Sequence, residues 1–254
     1  MAKHLYILTG ASRGLGAAMA EQILQTDAKL LTISRHINTT LAARTDALPR
    51  LEQWPLDLGH PLPVAHRLEA WLRTQDPRAF DEAALINNAA VVTRVGPVDQ
   101  GSDAEIGTAL RVGLEAAVML TSVFLRATRG WRARAEGRCK VLNISSGLGR
   151  SAMAGSAVYC AAKAGLDNFS RAVALDEEHR GHAARIVSLA PGVIDTDMQA
   201  QLRAADGLGF PGRTLFRELH ATDRLASPRE AATGVLAYLL HKDFGSTVVA
   251  ELKT

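Results

Sequence analysis

The sequence has little of several things that define other classes of protein. Its 254 residues include only two cysteines, Cys139 and Cys160, which lack the spacing of a disulfide framework or of metal ligands. Aromatic residues make up 5%, and 29 basic against 26 acidic side chains leave a net charge of only +3. So small a positive excess argues against nucleic-acid binding. We therefore expect no metal site, no nucleic-acid partner and a reducing, cytoplasmic compartment.

Long hydrophobic runs are also scarce. The apolar run near the amino terminus is too short for a signal peptide, and no run approaches a membrane span. The chain is nevertheless 47% hydrophobic and rich in alanine and glycine, which suits closely packed helices and strands. We therefore expect a soluble protein with a full core and no membrane partner.

Apolar runs of strand length alternate with helical patterns along the whole chain. Strand candidates begin at Leu5, Lys29, Leu51, Ala83, Arg185 and Thr247, and a further one precedes Asn143. Such alternation predicts the α/β class: a single-domain, Rossmann-like, doubly wound parallel sheet over residues 1–254, with about seven strands and helices on both faces. A long helical pattern from about Asp103 to Thr128 carries Gly113 at its middle, which indicates close packing or a kink.

The first strand candidate runs into a glycine turn that opens a helix. A strand, a glycine turn and a helix in this order bring backbone N–H groups and the helix dipole against a phosphate, where side chains would block a pyrophosphate. A plain tight connection has the same composition, but the position at the first strand–helix junction favours a dinucleotide site. The predicted cofactor contacts in this turn are Gly10, Ser12, Arg13, Gly14, Leu15 and Gly16.

The end of the second strand favours one dinucleotide over the other. An NAD site usually carries an acidic residue about 20 residues past the glycines, which binds the ribose 2′-hydroxyl. Here the strand ends Ser34-Arg35-His36. Arg35, with Arg13 as a second cation, would instead bind a 2′-phosphate. This pattern predicts NADP(H), although an arginine after a strand is also an ordinary solvated residue.

Polar groups follow three later strands. Asp57 would accept a hydrogen bond from an adenine amino group or cap the next helix. Asn87 and Asn88 would tie loops together and contact a ligand, or form only a turn. After the sixth strand a Pro-Gly pair at 191–192 turns the chain outward, and we expect the backbone of residues 193–196 to stay free for a planar amide such as nicotinamide.

Tyr159 and Lys163 lie four residues apart in an alanine-rich helix and therefore share one face. A phenol with a pKa of about 10 is a poor acid or base at neutral pH, but an ammonium beside it lowers that pKa. Ser145 and Ser146 end the preceding strand and would hydrogen-bond a substrate oxygen. A buried tyrosine satisfied by a carbonyl, with a lysine facing solvent, is the alternative for such a pair taken alone.

Two further segments have open interpretations. The first, around residues 196–226, contains Gly207, Gly209, Pro211 and Gly212. Because long glycine-bearing loops in compact domains are often functional, we expect a substrate lid, with a plain surface insertion as the alternative. The second, Arg126 to Lys140, gathers basic side chains, which we interpret as a solvated face rather than a docking site for an acidic partner.

In their order along the chain, the glycine turn, Asn87-Asn88-Ala89, the Ser146 to Tyr159-x-x-x-Lys163 set and the Pro-Gly pair resemble the short-chain dehydrogenase/reductase family over nearly its whole length. The resemblance implies that Tyr159 protonates a carbonyl oxygen, Ser146 orients it, and Lys163 lowers the tyrosine pKa and holds the nicotinamide ribose. It implies hydride transfer from NADPH and a homodimer or homotetramer. Further implied cofactor contacts are Asp57, Leu58, Asn88, Ala89, Ile194 and Thr196.

The chain departs from the family pattern at two places. Ala90 stands where the family usually has glycine, a tolerated change. Gly113 occupies the place of the helix asparagine that completes the family's proton relay. Because that helix is locally kinked in the family, glycine would still free a backbone carbonyl to hold the relay water.

Residues 190–199 are most similar to sepiapterin reductases and to bacterial diketone reductases. Met198 lies in this segment, and Glu251 stands where sepiapterin reductases carry an acid that anchors the pterin, so both are substrate-contact candidates; a surface glutamate on an edge strand is the alternative. The resemblance implies an NADPH-dependent reductase of a small dicarbonyl or pterin-like ketone. The alternatives are a cofactor-binding sensor or scaffold with weak turnover, which Gly113 favours, and a 3-oxoacyl-thioester reductase with a basic docking face.

Overall fold

Strands and helices alternate along the chain in the computed structural model, which describes residues 3–44, 48–134, 138–180, 183–206 and 209–252. The strands are β1 (His4–Thr9), β2 (Ala28–Ser34), β3 (Leu51–Pro55), β4 (Glu82–Asn87), β5 (Cys139–Ile144), β6 (Arg185–Ala190) and β7 (Val249–Glu251). The helices are α1 (Gly14–Ile23), α2 (Thr39–Ala42), α3 (Pro61–Arg73), α4 (Asp103–Leu110), α5 (Ala116–Ala127), α6 (Ala157–Glu178), α7 (Asp197–Ala204), α8 (Arg213–Ala221) and α9 (Pro228–Leu240).

The described strands form one parallel sheet of seven, in the order β3-β2-β1-β4-β5-β6-β7. This confirms the predicted doubly wound fold. β3, which begins at Leu51 as predicted, ends at Pro55. The strand order reverses between β1 and β4, and in open sheets of this kind ligands bind beyond the carboxyl ends of the strands at that point.

Both faces of the sheet are covered, so successive residues of one strand enter different cores. In β1, Leu5 and Ile7 pack with α3 and α5, whereas Tyr6 and Leu8 pack with α1 and α9. Burial on both sides explains why the strands appear in the sequence as continuous apolar runs rather than as alternating ones.

The long helical pattern from Asp103 is not one regular helix. A π-helical turn, Arg111–Glu115, joins α4 to α5 and has Gly113 at its centre. A Cβ built on Gly113 would lie 3.4 Å from Cβ of Ala162 on α6. The expected kink and the expected close packing therefore both occur at this glycine.

The stretch Asp103–Ala127 is, among the described residues, the one helical segment long and apolar enough to cross a membrane by length and composition. The prediction that no run approaches a membrane span is wrong for this segment. However, 56% of its most apolar window is buried within the protein, and Leu120 and Phe124 are completely buried. Its apolar character is that of a core helix.

The basic segment from Arg126 to Lys140 connects the end of α5 to β5, at the amino-terminal edge of the sheet. Arg126 donates two hydrogen bonds to Glu69, at 2.9 and 2.7 Å. Lys140 is buried and pairs with Glu82 at 2.6 Å. The interpretation as a solvated face is therefore wrong for Lys140, and residues 135–137 lie outside the described part of the chain.

Residues 196–226 fold mostly as α7 and α8 and not as an irregular loop; Gly207, with residue 208, lies outside the described residues. Phe210 between the helices is fully buried, and its ring stacks on Phe216 of α8 at 5.7 Å. A Cβ on Gly155 would approach the Phe210 ring to 2.9 Å. This segment is thus packed against the chain that follows Ser146.

Candidate active site

A large cavity of about 1010 Å³ opens along the carboxyl ends of the strands, between the β1 end of the sheet and the α7–α8 segment. The residues that the sequence indicates for cofactor, substrate or catalysis line it, from Gly10 in the glycine turn to Glu251 in β7, with the exception of Asn87. Asn87 is buried and donates hydrogen bonds to Thr121 and Asn143, so it ties neighbouring elements together and does not line the cavity.

The glycine turn packs too closely for side chains. A Cβ on Gly16 would lie 2.1 Å from the Gly10 carbonyl oxygen, and one on Gly10 would lie 2.9 Å from Cα of Ala89. Gly14 has a φ of +57°, and its Cβ would point at Thr196 across the cavity. No side chain caps α1 and no acidic residue lies in its first turn, so its amides and dipole face the cavity. These residues fit a pyrophosphate.

Two arginines border this end of the cavity. Arg35 is exposed just beyond β2, and within the described ranges no carboxylate pairs with it. Arg13 instead pairs with Asp197 at the start of α7, at 3.2 Å, although both side chains are more than two-thirds exposed. The hydroxyl of Ser34 accepts a hydrogen bond from the Ala11 amide at 2.8 Å and fixes the turn against β2.

Asn88 ties the end of β4 to the glycine turn. Its side chain donates to the carbonyls of Thr9 and Gly10, at 2.9 and 3.1 Å. Asp57 accepts a hydrogen bond from the Gly59 amide at 2.8 Å, whereas the N-cap position of α3 is occupied by His60, whose side chain makes no capping hydrogen bond. The capping alternative for Asp57 is therefore wrong, because its carboxylate is used in a local turn.

The backbone after β6 is less free than expected. The Val193 carbonyl accepts a hydrogen bond from the Ala226 amide, and the Asp195 amide donates to the Ala226 carbonyl, at 3.0 and 2.9 Å. These bonds form an isolated parallel bridge between Ile194 and Ala226. The prediction of a free 193–196 backbone is therefore wrong at Val193 and Asp195.

Tyr159 and Lys163 occupy the first two turns of α6, and Ser146 begins a short 3₁₀ turn just after β5. The Lys163 Nζ lies 5.5 Å from the centroid of the Tyr159 ring. It donates a hydrogen bond to the Ile144 carbonyl at 2.7 Å and is buried, so the solvent-facing alternative for this lysine is wrong. Ser146 Oγ accepts a hydrogen bond from the Leu148 amide at 3.2 Å.

Burial sets the acidity of this pair. It raises the pKa of Tyr159, and an interaction with the Ser146 side chain partly offsets that rise. Burial also lowers the pKa of Lys163 to about 8, against a smaller upward effect of Asp167. The predicted lowering of the tyrosine pKa is wrong in direction, because removal of water from the phenol is the larger effect.

A row of buried polar side chains on α6 faces the sheet and was missed from the sequence. Lys163, Asp167 and Ser170 form this row. Asp167 accepts hydrogen bonds from Ser145 and Ser188, both at 2.6 Å, and Ser170 accepts one from Asn143 at 2.9 Å. Ser145 therefore does not offer its proton to a substrate, contrary to expectation. The available signal was polar residues at i, i+4 and i+7 on one helical face.

The other end of the cavity is mainly apolar. Leu148, Met153, Met198, Leu215 and Phe216 line it, from the turn after Ser146 and from α7 and α8. At its rim Arg150 binds the Glu251 carboxylate at 2.6 Å. No pattern in the sequence predicts this pair, because its members lie 101 residues apart.

Known proteins resemble this chain over most of its length. A family model described as short chain dehydrogenase matches residues 4–207. Benzil reductase ((S)-benzoin forming) of Bacillus subtilis is 32% identical over 98% of both chains. Sepiapterin reductase of Bos taurus is 28% identical over 97% of this chain and 93% of its own, and the 3-oxoacyl-[acyl-carrier-protein] reductase of Salmonella typhimurium is 30% identical over 87% and 86%.

Solved structures agree with these relatives. The crystal structure of the KRED1-Pglu enzyme superimposes with a TM-score of 0.80 at 25% identity, covering 98% of this chain and all of that one. The matched family model covers most of the chain, and it includes the glycine turn and the Ser146–Tyr159–Lys163 set. The protein belongs to the short-chain dehydrogenase family and is an oxidoreductase that uses a nicotinamide cofactor.

Proposed function

We propose that this protein is an NADPH-dependent carbonyl reductase that acts on small, largely apolar dicarbonyl compounds. The observation that carries the proposal is the meeting of Ser146, Tyr159 and Lys163 in one cavity with the glycine turn. A proton donor, a hydrogen-bond donor and a cation then surround one position next to a nucleotide cradle. Such a set suits the addition of a hydride and a proton to a C=O group.

The nicotinamide, when bound, supplies the hydride. Tyr159 donates its phenolic proton to the carbonyl oxygen, while the Ser146 hydroxyl hydrogen-bonds the same oxygen and fixes its direction. Because burial raises the Tyr159 pKa, the phenol keeps its proton at neutral pH until the substrate carbonyl oxygen becomes basic enough to accept it. The buried Lys163 ammonium then stabilises the phenolate that remains.

Charge at the β2 end supports NADP(H) as the cofactor. Arg35 is exposed at the cavity wall with no carboxylate partner among the described residues, and no acidic residue stands at the end of β2. A 2′-phosphate would meet a free guanidinium there, whereas a 2′-hydroxyl would find no carboxylate acceptor.

The wall chemistry favours a dicarbonyl over a pterin. A pterin ring would need polar partners, and the carboxylate nearest to that role, Glu251, is already bound by Arg150 at 2.6 Å. The remaining wall of leucine, methionine and phenylalanine side chains matches an apolar or aromatic group on either side of the carbonyl. The similarity to benzil reductases agrees with this choice.

A second candidate is reduction of 3-oxoacyl thioesters, which the similarity to a 3-oxoacyl-[acyl-carrier-protein] reductase favours. The basic segment from Arg126 to Lys140 lies at the amino-terminal edge of the sheet, away from the cavity. Glu69 binds Arg126, and Glu82 binds Lys140. The segment therefore lends no support to that candidate. The family resemblance also supports a homodimer or homotetramer. The low cysteine content favours a location in the cytoplasm, and the cavity lining from α7 and α8 supports a lid role for residues 196–226.

The test follows NADPH absorbance with an aromatic 1,2-diketone, sepiapterin and an acetoacetyl thioester, for the unmodified protein, Tyr159→Phe and Tyr238→Phe. We expect the diketone to be reduced fastest. Loss of the phenolic proton donor should lower kcat by about 100-fold or more in Tyr159→Phe, with NADPH binding retained. Tyr238→Phe, which makes the same change outside the cavity, should keep full activity.

Each other outcome has a clear meaning. Faster reduction of the thioester supports the second candidate. Tight NADPH binding without oxidation of any of the three compounds contradicts the proposal and supports a sensor. Equal activity of Tyr159→Phe and the unmodified protein contradicts the assigned acid.

A further inference from the structure

Asp167 is a buried acid directly behind the catalytic residues. It is 1% exposed and lies on α6 one helical turn after Lys163. Its Oδ1 accepts hydrogen bonds from Ser145 at the end of β5 and from Ser188 in β6, both at 2.6 Å. Separations this short are typical of a hydroxyl that donates to a charged carboxylate oxygen. Asp167 thus places a negative charge in the interior.

The second oxygen of this carboxylate faces the loop that carries the catalytic serine. Among the described residues Oδ2 has no hydrogen-bond partner, although it is fully buried. It lies against Gly149, where a Cβ would approach it to 2.6 Å and the Lys163 carbonyl oxygen to 3.1 Å. The carboxylate therefore lies against the 3₁₀ turn that follows Ser146, and it also accepts a hydrogen bond from Ser145, the residue that precedes Ser146.

Burial of the Asp167 carboxylate is costly in free energy, because a charge removed from water is destabilised unless an opposite charge lies near. In the described part of the chain, Asp167 is the charged group that acts on Lys163, and Tyr159 is its other titratable neighbour. Two serine hydroxyls alone could be satisfied by a neutral amide or by water. An acid one helical turn from a buried lysine has a further use, because its charge offsets part of the cost of burying the ammonium.

We propose that Asp167 is a positioning residue for the catalytic machinery: it joins the ends of β5 and β6 beneath Ser146 and keeps the Lys163 side chain cationic. Its tie to Ser145 fixes the residue next to the catalytic serine. Its charge preserves the ammonium that stabilises the Tyr159 phenolate. The catalytic use of that ammonium rests on the proposed function, whereas its titration can be measured without any substrate.

The experiment titrates Lys163 in protein labelled with ¹³C-lysine, with the Lys163 Cε resonance identified from its absence in Lys163→Met. The variants are Asp167→Asn, which keeps shape but removes charge, and Asp176→Asn, the same change at an exposed position of α6. We expect the Lys163 midpoint, about 8 in the unmodified protein, to fall by about one unit or more in Asp167→Asn and to stay in place in Asp176→Asn.

A midpoint that stays near 8 in a folded Asp167→Asn protein overturns the proposal, because a structural role alone would leave the titration unchanged. If Asp167→Asn does not fold, Asp167→Ser, which also removes the charge, provides the same test. The Lys163 midpoint should again fall, and the absence of a shift overturns the proposal.

The kinetic readout separates this inference from the proposed function. The high-pH limb of kcat/KM for diketone reduction should move down with the Lys163 midpoint in Asp167→Asn. A midpoint that moves while no carbonyl compound is reduced by any form of the protein defeats the proposed function and leaves the positioning role standing. A midpoint that does not move, in an active enzyme, has the opposite meaning.

Discussion

Replacing Arg35 with alanine should weaken the proposed preference for NADPH over NADH. The side chain is exposed at the cavity wall and no carboxylate among the described residues holds it, so it can bind a phosphate without losing another partner. A hydrogen bond to a charged group contributes about 1.5–3 kcal/mol, and exposure places this one at the lower end. About 1.5–2 kcal/mol corresponds to a fall of about 10- to 30-fold in the ratio of kcat/KM values.

Arg13 offers an internal comparison. It must leave Asp197, 3.2 Å away, before it can bind a phosphate, and an exposed pair of this kind is worth about 0–1 kcal/mol. Arg13→Ala should therefore change the ratio less than Arg35→Ala does. Steady-state rates with each cofactor at a fixed diketone concentration give the ratios, with Arg171→Ala on the exposed face of α6 as control. A ratio in Arg35→Ala within twofold of the control would refute the reasoning.

Two further predictions concern the kinked helix and a surface ion pair. Gly113→Asn should not raise turnover greatly, because we expect the π turn at this position to offer a backbone carbonyl in place of the amide; a large gain in kcat would show that the missing amide matters. The Glu69 pKa is lowered from 4.5 to about 2, chiefly by its hydrogen bond with Arg126. It therefore stabilises the fold above pH 4.5 and loses this effect as the pH falls to about 2. Glu69→Gln should melt below the unmodified protein at pH 6 and close to it near pH 2, and an equal gap at both would contradict this.

The sheet was predictable because both of its faces are buried. Each strand then appears as an apolar run, and each run is followed by a helical pattern, so the order of elements can be read directly. The glycine turn was predictable for a related reason: Gly10 and Gly16 have no room for a Cβ, and a restriction of that kind fixes residue type at one position. Local sequence carries this information because the constraint itself is local.

Contacts between distant segments were not predictable in the same way. Nothing in the sequence around Arg150 or Glu251 links the two residues, and only the position of β7 beside the turn after Ser146 brings them together. The π turn at Gly113 also has no distinct local signal, since a mid-helix glycine costs only about 1 kcal/mol relative to alanine. The direction of the Tyr159 pKa shift likewise depends on how much water the assembled cavity removes.

The raised pKa of Tyr159 determines which form of the phenol is present in the resting site. A lowered pKa would place a phenolate in the resting site, the form that accepts a proton from an alcohol. A raised pKa keeps the phenol protonated at neutral pH, the form that gives a proton to a carbonyl. The nearby lysine then acts mainly after the proton has left, because an ammonium stabilises the phenolate and not the phenol. In the proposed reduction, burial of Tyr159 and the charge of Lys163 therefore act at successive stages of one step: burial keeps the proton on the phenol, and the ammonium stabilises the phenolate once the proton has left.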